Sequence, residues 1–230
     1  MDNAPYDFDP IQVDSAIPNL GDTLNSALNE LDNKQSLLGL TGVPSGLTAL
    51  DRIFSGWQKS ELIILASRPS IGKSSFLLSI LRNAAVDFGA PVALFSLEMG
   101  RNQVLNRLMA AETEINLEKF RSGSFAPHEW VKLSSLQFQR FSEAPIFIDD
   151  NHNLKFEDLR VKCLQMIKRH DVKLVAIDNI QLMLSTNLEE STSEYEELSK
   201  LIRSLKALSS ELKIPIIALS QINRTAETRV

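Results

Sequence analysis

From Leu62 onward the chain alternates between two hydrophobic periods. Short, continuously apolar runs recur at Leu62–Ala66, Val92–Leu97, Ile146–Asp149, Leu174–Asp178 and Pro215–Ser220. Runs of this length, without polar alternation, suit strands that are buried on both faces. Between them, near 74–88, 101–113, 127–140, 155–170 and 193–212, apolar positions recur at helical spacing. This order predicts an α/β fold: a mainly parallel sheet, helices on both faces and right-handed crossovers. In such sheets chemistry gathers beyond the carboxyl ends of the strands, so each strand end is a place to search.

The pattern ahead of Leu62 is different. Residues 1–19 carry three prolines and several Asp and Asn with no sustained period, and are expected to pack loosely. Leu20, Leu24, Leu28 and Leu31 then form one narrow stripe, which predicts a short helix within 20–38. A helix so narrowly apolar must dock on something. The Gly- and Pro-rich stretch GLTGVPSG, 39–46, opens the main domain, 39–230. Residues 185–197, STNLEESTSEYEE, read as an exposed loop running into a helix.

Composition narrows the class. The chain has 230 residues, 43% hydrophobic and 23% charged, enough for one globular domain with an appendage. Its one cysteine, Cys163, permits no internal disulfide and sits in an apolar helical pattern, so a core position in a cytoplasmic protein is expected. No stretch approaches the roughly 18 apolar residues that span a bilayer, and the N-terminus has no signal-peptide pattern. Net charge is −5, but residues 1–33 hold seven acids and no Lys or Arg, leaving 24 basic against 22 acidic residues elsewhere. That balance argues against a protein coating DNA nonspecifically, not against nucleic acid threaded past local loops. His128, His152 and His170 are scattered without ligand spacing around Cys163. Trp57 and Trp130 are expected to pack, and Lys168-Arg169-His170 to complement a helix dipole.

The strand ends carry the chemistry. After the first strand comes Ser67-Arg68-Pro69-Ser70-Ile71-Gly72-Lys73-Ser74-Ser75, a strand–loop–helix passage ending in GKSS. Backbone N–H groups and the helix N-terminus would cradle phosphate oxygens, with Lys73 on the β- and γ-phosphates and the Ser74 hydroxyl on Mg²⁺. Ser67 stands where the generic pattern has glycine. The second strand leads to Glu98, either a base orienting water toward a γ-phosphate or an acid favoured near a helix start. The fourth closes on Asp178, a carboxylate for Mg²⁺ or an ordinary apolar-apolar-Asp ending. The fifth reaches Gln221, a γ-phosphate sensor or simply a polar residue leaving the sheet. Asp149-Asp150 reads as a turn.

Together these blocks resemble the motor domain of DnaB-type replicative DNA helicases. The resemblance rests on TGVPSGLTALDRIFSGWQKSELIILASRPSIGKSSF, PVALFSLEM, APIFIDD, LVAIDNIQLM and LKALSSELKIPIIALSQINR, in order and at the family's spacing. It covers residues 39–230, and in that family a small residue commonly replaces the first loop glycine. It implies a RecA-like ATPase core using ATP and Mg²⁺, assembled as a ring hexamer on single-stranded DNA, with primase and a helicase loader as partners. It also implies phosphate and Mg²⁺ roles for Lys73 and Ser74, the Walker B role for Asp178, water activation for Glu98 and γ-phosphate sensing for Gln221. The helix over 20–38 resembles the family's linker helix. Asn179 departs from the family's more usual Tyr. The primase-interacting domain and the C-terminal strands, DNA loop and basic finger are absent from these residues, so ATP binding is expected to exceed turnover. Two other readings follow: a shortened, ATP-binding relative that joins or regulates a helicase ring, and a recombinase-like or clock-type RecA ATPase.

Overall fold

Five strands form where the apolar runs stand: β1 (Leu62–Ser67), β2 (Val92–Ser96), β3 (Ile146–Asp149), β4 (Leu174–Asp178) and β5 (Ile216–Gln221). The computed structural model describes residues 40–184 and 194–222, together with positions 19–21, 24, 25 and 28. Every strand pair is parallel, in the order β1-β5-β4-β2-β3. The expected boundaries hold to within one residue, β1 and β5 each running one position further.

Helices α1 (Thr48–Phe54), α2 (Lys73–Arg82), α3 (Arg101–Thr113), α4 (Leu117–Ser122), α5 (Pro127–Leu133), α6 (Leu136–Ser142), α7 (Phe156–His170), α8 (Gln181–Leu184) and α9 (Glu194–Leu212) fill the connections. The helix expected over 127–140 is two helices. Phe138 N–H donates to the Ser135 hydroxyl, so Ser135 caps a new helix. The stretch expected over 74–88 is α-helical to Arg82 and finishes as one π turn, Asn83–Asp87. The short helices α1, α4 and α8 lie outside the stretches that helical spacing marks.

The two sheet faces pack separately. One buries Phe95, Val175, Ile177 and Ala218 under Leu159 and Cys163 of α7 and Leu201, Leu205 and Leu208 of α9. The other buries Leu94, Leu174, Ala176 and Leu219 under Leu77, Ile80 and Leu81 of α2 and Val104 and Leu108 of α3. Cys163 is a core residue, and burial pushes its thiol up to about 12. An ion pair from Arg82 to the buried Glu112, at 2.6 Å, joins α2 to α3.

The remaining polar residues hold the framework together. Asp149 Oδ1 accepts from Asn151 N–H at 3.0 Å, as a turn requires. Asp150 Oδ2 accepts the Arg101 N–H at the start of α3 at 2.9 Å. Trp57 is buried and stacks on Phe54, while Trp130 packs edge-on against Phe125. His170 stacks on Phe147 at the basic end of α7. No group of three metal-ligating side chains occurs among the described residues, and no helix there is long and apolar enough to cross a membrane.

Residues 1–39 form a separate unit. Its described positions from 20 to 28 are helical, with Leu20, Leu24 and Leu28 exposed. Leu31, the 1–18 segment, most of the 185–197 loop and Arg224–Val230 lie outside the described residues.

Candidate active site

The carboxyl ends of β1, β5, β4 and β2 lie side by side. Ser67 pairs in register with Gln221, and Ser96 with Asp178. The sheet thus brings the phosphate-type loop, Glu98, Asp178 and Gln221 to one edge, although they are spread over 155 positions of chain.

Ser67 is a strand residue. Its carbonyl accepts from Ile222 N–H at 3.0 Å, and its φ is not positive. A serine stands easily where the generic motif has glycine, because an extended residue needs no glycine there. The turn comes later, with Ser70 at φ 65° and Gly72 at φ 96°. Gly72 directly precedes α2, and a Cβ built on it would meet no protein atom within 4 Å. Conformation therefore demands the glycine, and the space above it is open to a ligand. Arg68, Pro69, Ser70, Ile71 and Ser75 are all exposed.

The N-terminus of α2 has no side-chain cap and no acid in its first turn. By contrast, α1, α4, α5 and α7 all carry first-turn acids. The free N–H groups and positive dipole end of α2 are thus left for an anion. The Lys73 ammonium reaches back to the Ser220 carbonyl at 3.4 Å, a long contact that a phosphate could replace.

Asp178 ends β4 at only 2% exposure. Burial raises its pKa, opposed by a hydrogen bond from the Ser74 hydroxyl; Glu98 adds to the rise, and Lys73 and Arg107 oppose it. Its Oδ1 is buried without a partner. An orphaned carboxylate oxygen beside a serine hydroxyl is a pair of hard oxygen donors, the set that Mg²⁺ takes. The residues present therefore fit that ion.

Glu98 follows β2 and is exposed. Its backbone is fastened to the end of β4, since Leu97 and Glu98 N–H groups both donate to the Asp178 carbonyl, at 2.6 and 3.3 Å. Its Oε2 accepts from Asn179 Nδ2 at 2.9 Å. Helix α3 begins at Arg101, three positions after Glu98, and the Arg101 N–H is taken by Asp150 Oδ2. Gln221 is exposed at the end of β5, and its carbonyl accepts from Gln181 Nε2 at 3.2 Å. The same amide donates to Ser220 Oγ at 2.8 Å.

Two contributors escape a search of strand ends. Asn179 stands out in the sequence only as a family departure and Gln181 not at all, because both follow β4 instead of ending it. The run Asp178-Asn179-Ile180-Gln181, with Asn179 and Gln181 alternating just past a buried strand, is the available signal.

Residues 42–230 match the family model for the DnaB-like helicase C terminal domain. The chain is 39% identical over 215 residues to the replicative DNA helicase DnaB of Geobacillus stearothermophilus, covering 93% of this chain and 47% of that protein. It is 43% identical over 193 residues to the corresponding protein of Rhodothermus marinus, covering 83% and 20%. Among solved structures, an ATPase domain superposes with a TM-score of 0.81 at 32% identity, covering 92% of this chain and 75% of that one. A DnaB-like replicative helicase, solved in a study of its interactions with primase, gives 0.78 at 31%, covering 94% and 51%. The chain spans about half or less of the length of these curated relatives.

Proposed function

Because the chain belongs to the DnaB-like helicase C-terminal domain family, we propose that it is the ATP-hydrolysing motor portion of a replicative DNA helicase, acting in the cytoplasm. In this reading it binds Mg²⁺-ATP at the carboxyl edge of the sheet and couples hydrolysis to movement along single-stranded DNA. Residues 39–230 are the ATPase domain, and the helix within 20–38 is the linker. Six copies form the ring, with primase and a helicase loader as further partners. The observation that carries the proposal is the buried Asp178 oxygen without a partner, beside the Ser74 hydroxyl and under an uncapped helix N-terminus.

The mechanism follows from where the groups stand. The first N–H groups of α2 and the Lys73 ammonium bind the β- and γ-phosphates, with Ser67–Ser75 wrapped around them. Ser74 and Asp178 hold Mg²⁺, which neutralises phosphate charge when bound. Glu98, held beside Asn179, takes a proton from the attacking water. The water oxygen bonds to the γ-phosphorus as the bond to the bridging oxygen breaks, leaving ADP and phosphate. Gln221 senses the γ-phosphate from β5, whose pairing with Ser67 makes one unit of loop and sensor.

The test is equilibrium binding of Mg²⁺-ATP. Lys73→Ala removes a charge-assisted contact and is expected to weaken binding about 10- to 100-fold. Unchanged affinity would remove the loop from the site.

A further inference from the structure

A general base must be aimed, and Glu98 is poorly suited to aim itself. Its side chain is exposed and has three rotatable bonds, so without a partner it would sample many directions. The partner the structure provides is Asn179. We propose that Asn179 is a positioning residue that holds the Glu98 carboxylate in line for water, resting on the reading of Glu98 as the base.

The neighbouring strands create the contact. Ser96 of β2 and Asp178 of β4 are in register, so the residues just beyond them emerge together at the sheet edge. Asn179 is 4% exposed and fixed by its surroundings: its carbonyl accepts from Leu182 N–H, and the next residue's N–H, that of Ile180, donates to the Leu219 carbonyl. A buried residue so held is a firm mount for an exposed one.

The amide orientation is not arbitrary. An ionised carboxylate only accepts, so the group within 2.9 Å of Glu98 Oε2 must be the NH₂. That choice leaves Asn179 Oδ1 buried with no partner. Unpaired buried acceptors are uncommon and cost stability. A leucine of similar size would avoid that cost and keep both backbone bonds. The asparagine therefore gives up stability for the one thing leucine cannot supply, a donor to Glu98.

Asn179→Leu, Glu98→Gln and the double variant separate the possibilities. Each is assayed for single-turnover Mg²⁺-ATP hydrolysis with protein in excess, for binding of a fluorescent methylanthraniloyl-ADP, and for thermal denaturation. Asn179→Leu is expected to slow hydrolysis about 10- to 100-fold, with nucleotide affinity within about twofold and a melting temperature equal to or above the parent's. In the Glu98→Gln background it should slow hydrolysis no further. Unchanged hydrolysis in Asn179→Leu, an equal loss in both backgrounds, or a matching loss of nucleotide affinity would each overturn the proposal. If Glu98→Gln alone hydrolyses normally, the base assignment falls and takes this proposal with it. Should the leucine variant fail to fold, Asn179→Ala carries the same comparison.

Discussion

Ile64 of β1 and Ile177 of β4 pair with the same residue, Ala218 of β5, from its two sides. Both lie in apolar runs on the same sheet face, yet Ile64 is 37% exposed and Ile177 fully buried. The difference is rank in the sheet. Strand β4 has a neighbour on each side, while β1 is an edge strand of the described sheet. The site draws on both situations. At the edge, the loop after β1 is open, so a charged phosphate group could enter and leave. At the centre, Asp178 is buried, where a carboxylate oxygen without a partner gains most from binding a cation.

The contrast can be broken by measuring it. Ile177→Ala should lose about 2–5 kcal/mol of unfolding free energy, and Ile64→Ala less than about 1.5 kcal/mol, by denaturant titration. Equal losses would mean that the edge is covered in solution. Next in size, Gly72→Ala forces an L side chain to φ 96° and is expected to cost about 1–2 kcal/mol. Because a methyl group there meets no protein atom, that cost reports conformation alone; no cost would show that the loop relaxes out of this conformation.

Smallest on the stability scale, and opposite in sign, is Asp178→Asn. Burial raises the Asp178 pKa in the folded chain, so the folded state binds this proton more tightly than the unfolded one. The group's contribution to stability is full below the ordinary carboxylate range and is lost as pH rises through the raised value. The asparagine variant should therefore match the parent in acid and exceed it at neutral pH, in melting curves taken across that window. A gap that closes as pH rises would contradict the raised pKa. The same variant should hydrolyse Mg²⁺-ATP poorly, separating stability from activity.

Much of this is legible along the chain. Continuous apolar runs identify all five strands, because a doubly covered parallel strand has no polar face to disguise it. The phosphate-type loop is equally plain, since its glycine and its strand–helix setting are local. What stays ambiguous is any residue whose meaning depends on a distant partner. Glu98 reads as a base or as a helix-start acid, and nothing along the chain shows that Asp150 takes the first N–H of α3 or that Asn179 bonds Glu98. The break at Ser134-Ser135 is hidden for the opposite reason. Apolar spacing continues through it, and one hydroxyl cap outweighs the pattern.

The sequence by itself determined which segments become strands and the longer helices, where the chain must turn at a glycine, and which polar residues stand at strand ends. Each depends on neighbours a few positions away, through periodicity and backbone sterics. Only the tertiary structure decided that β5 lies beside β1, so that Gln221 meets Ser67, and that β4 lies beside β2, so that Asn179 reaches Glu98 across 81 positions. The reason is physical: local pattern sets how a strand is built, but strand order is chosen by how all the faces bury together. The neighbours of a carboxylate just beyond a strand end are a consequence of that order.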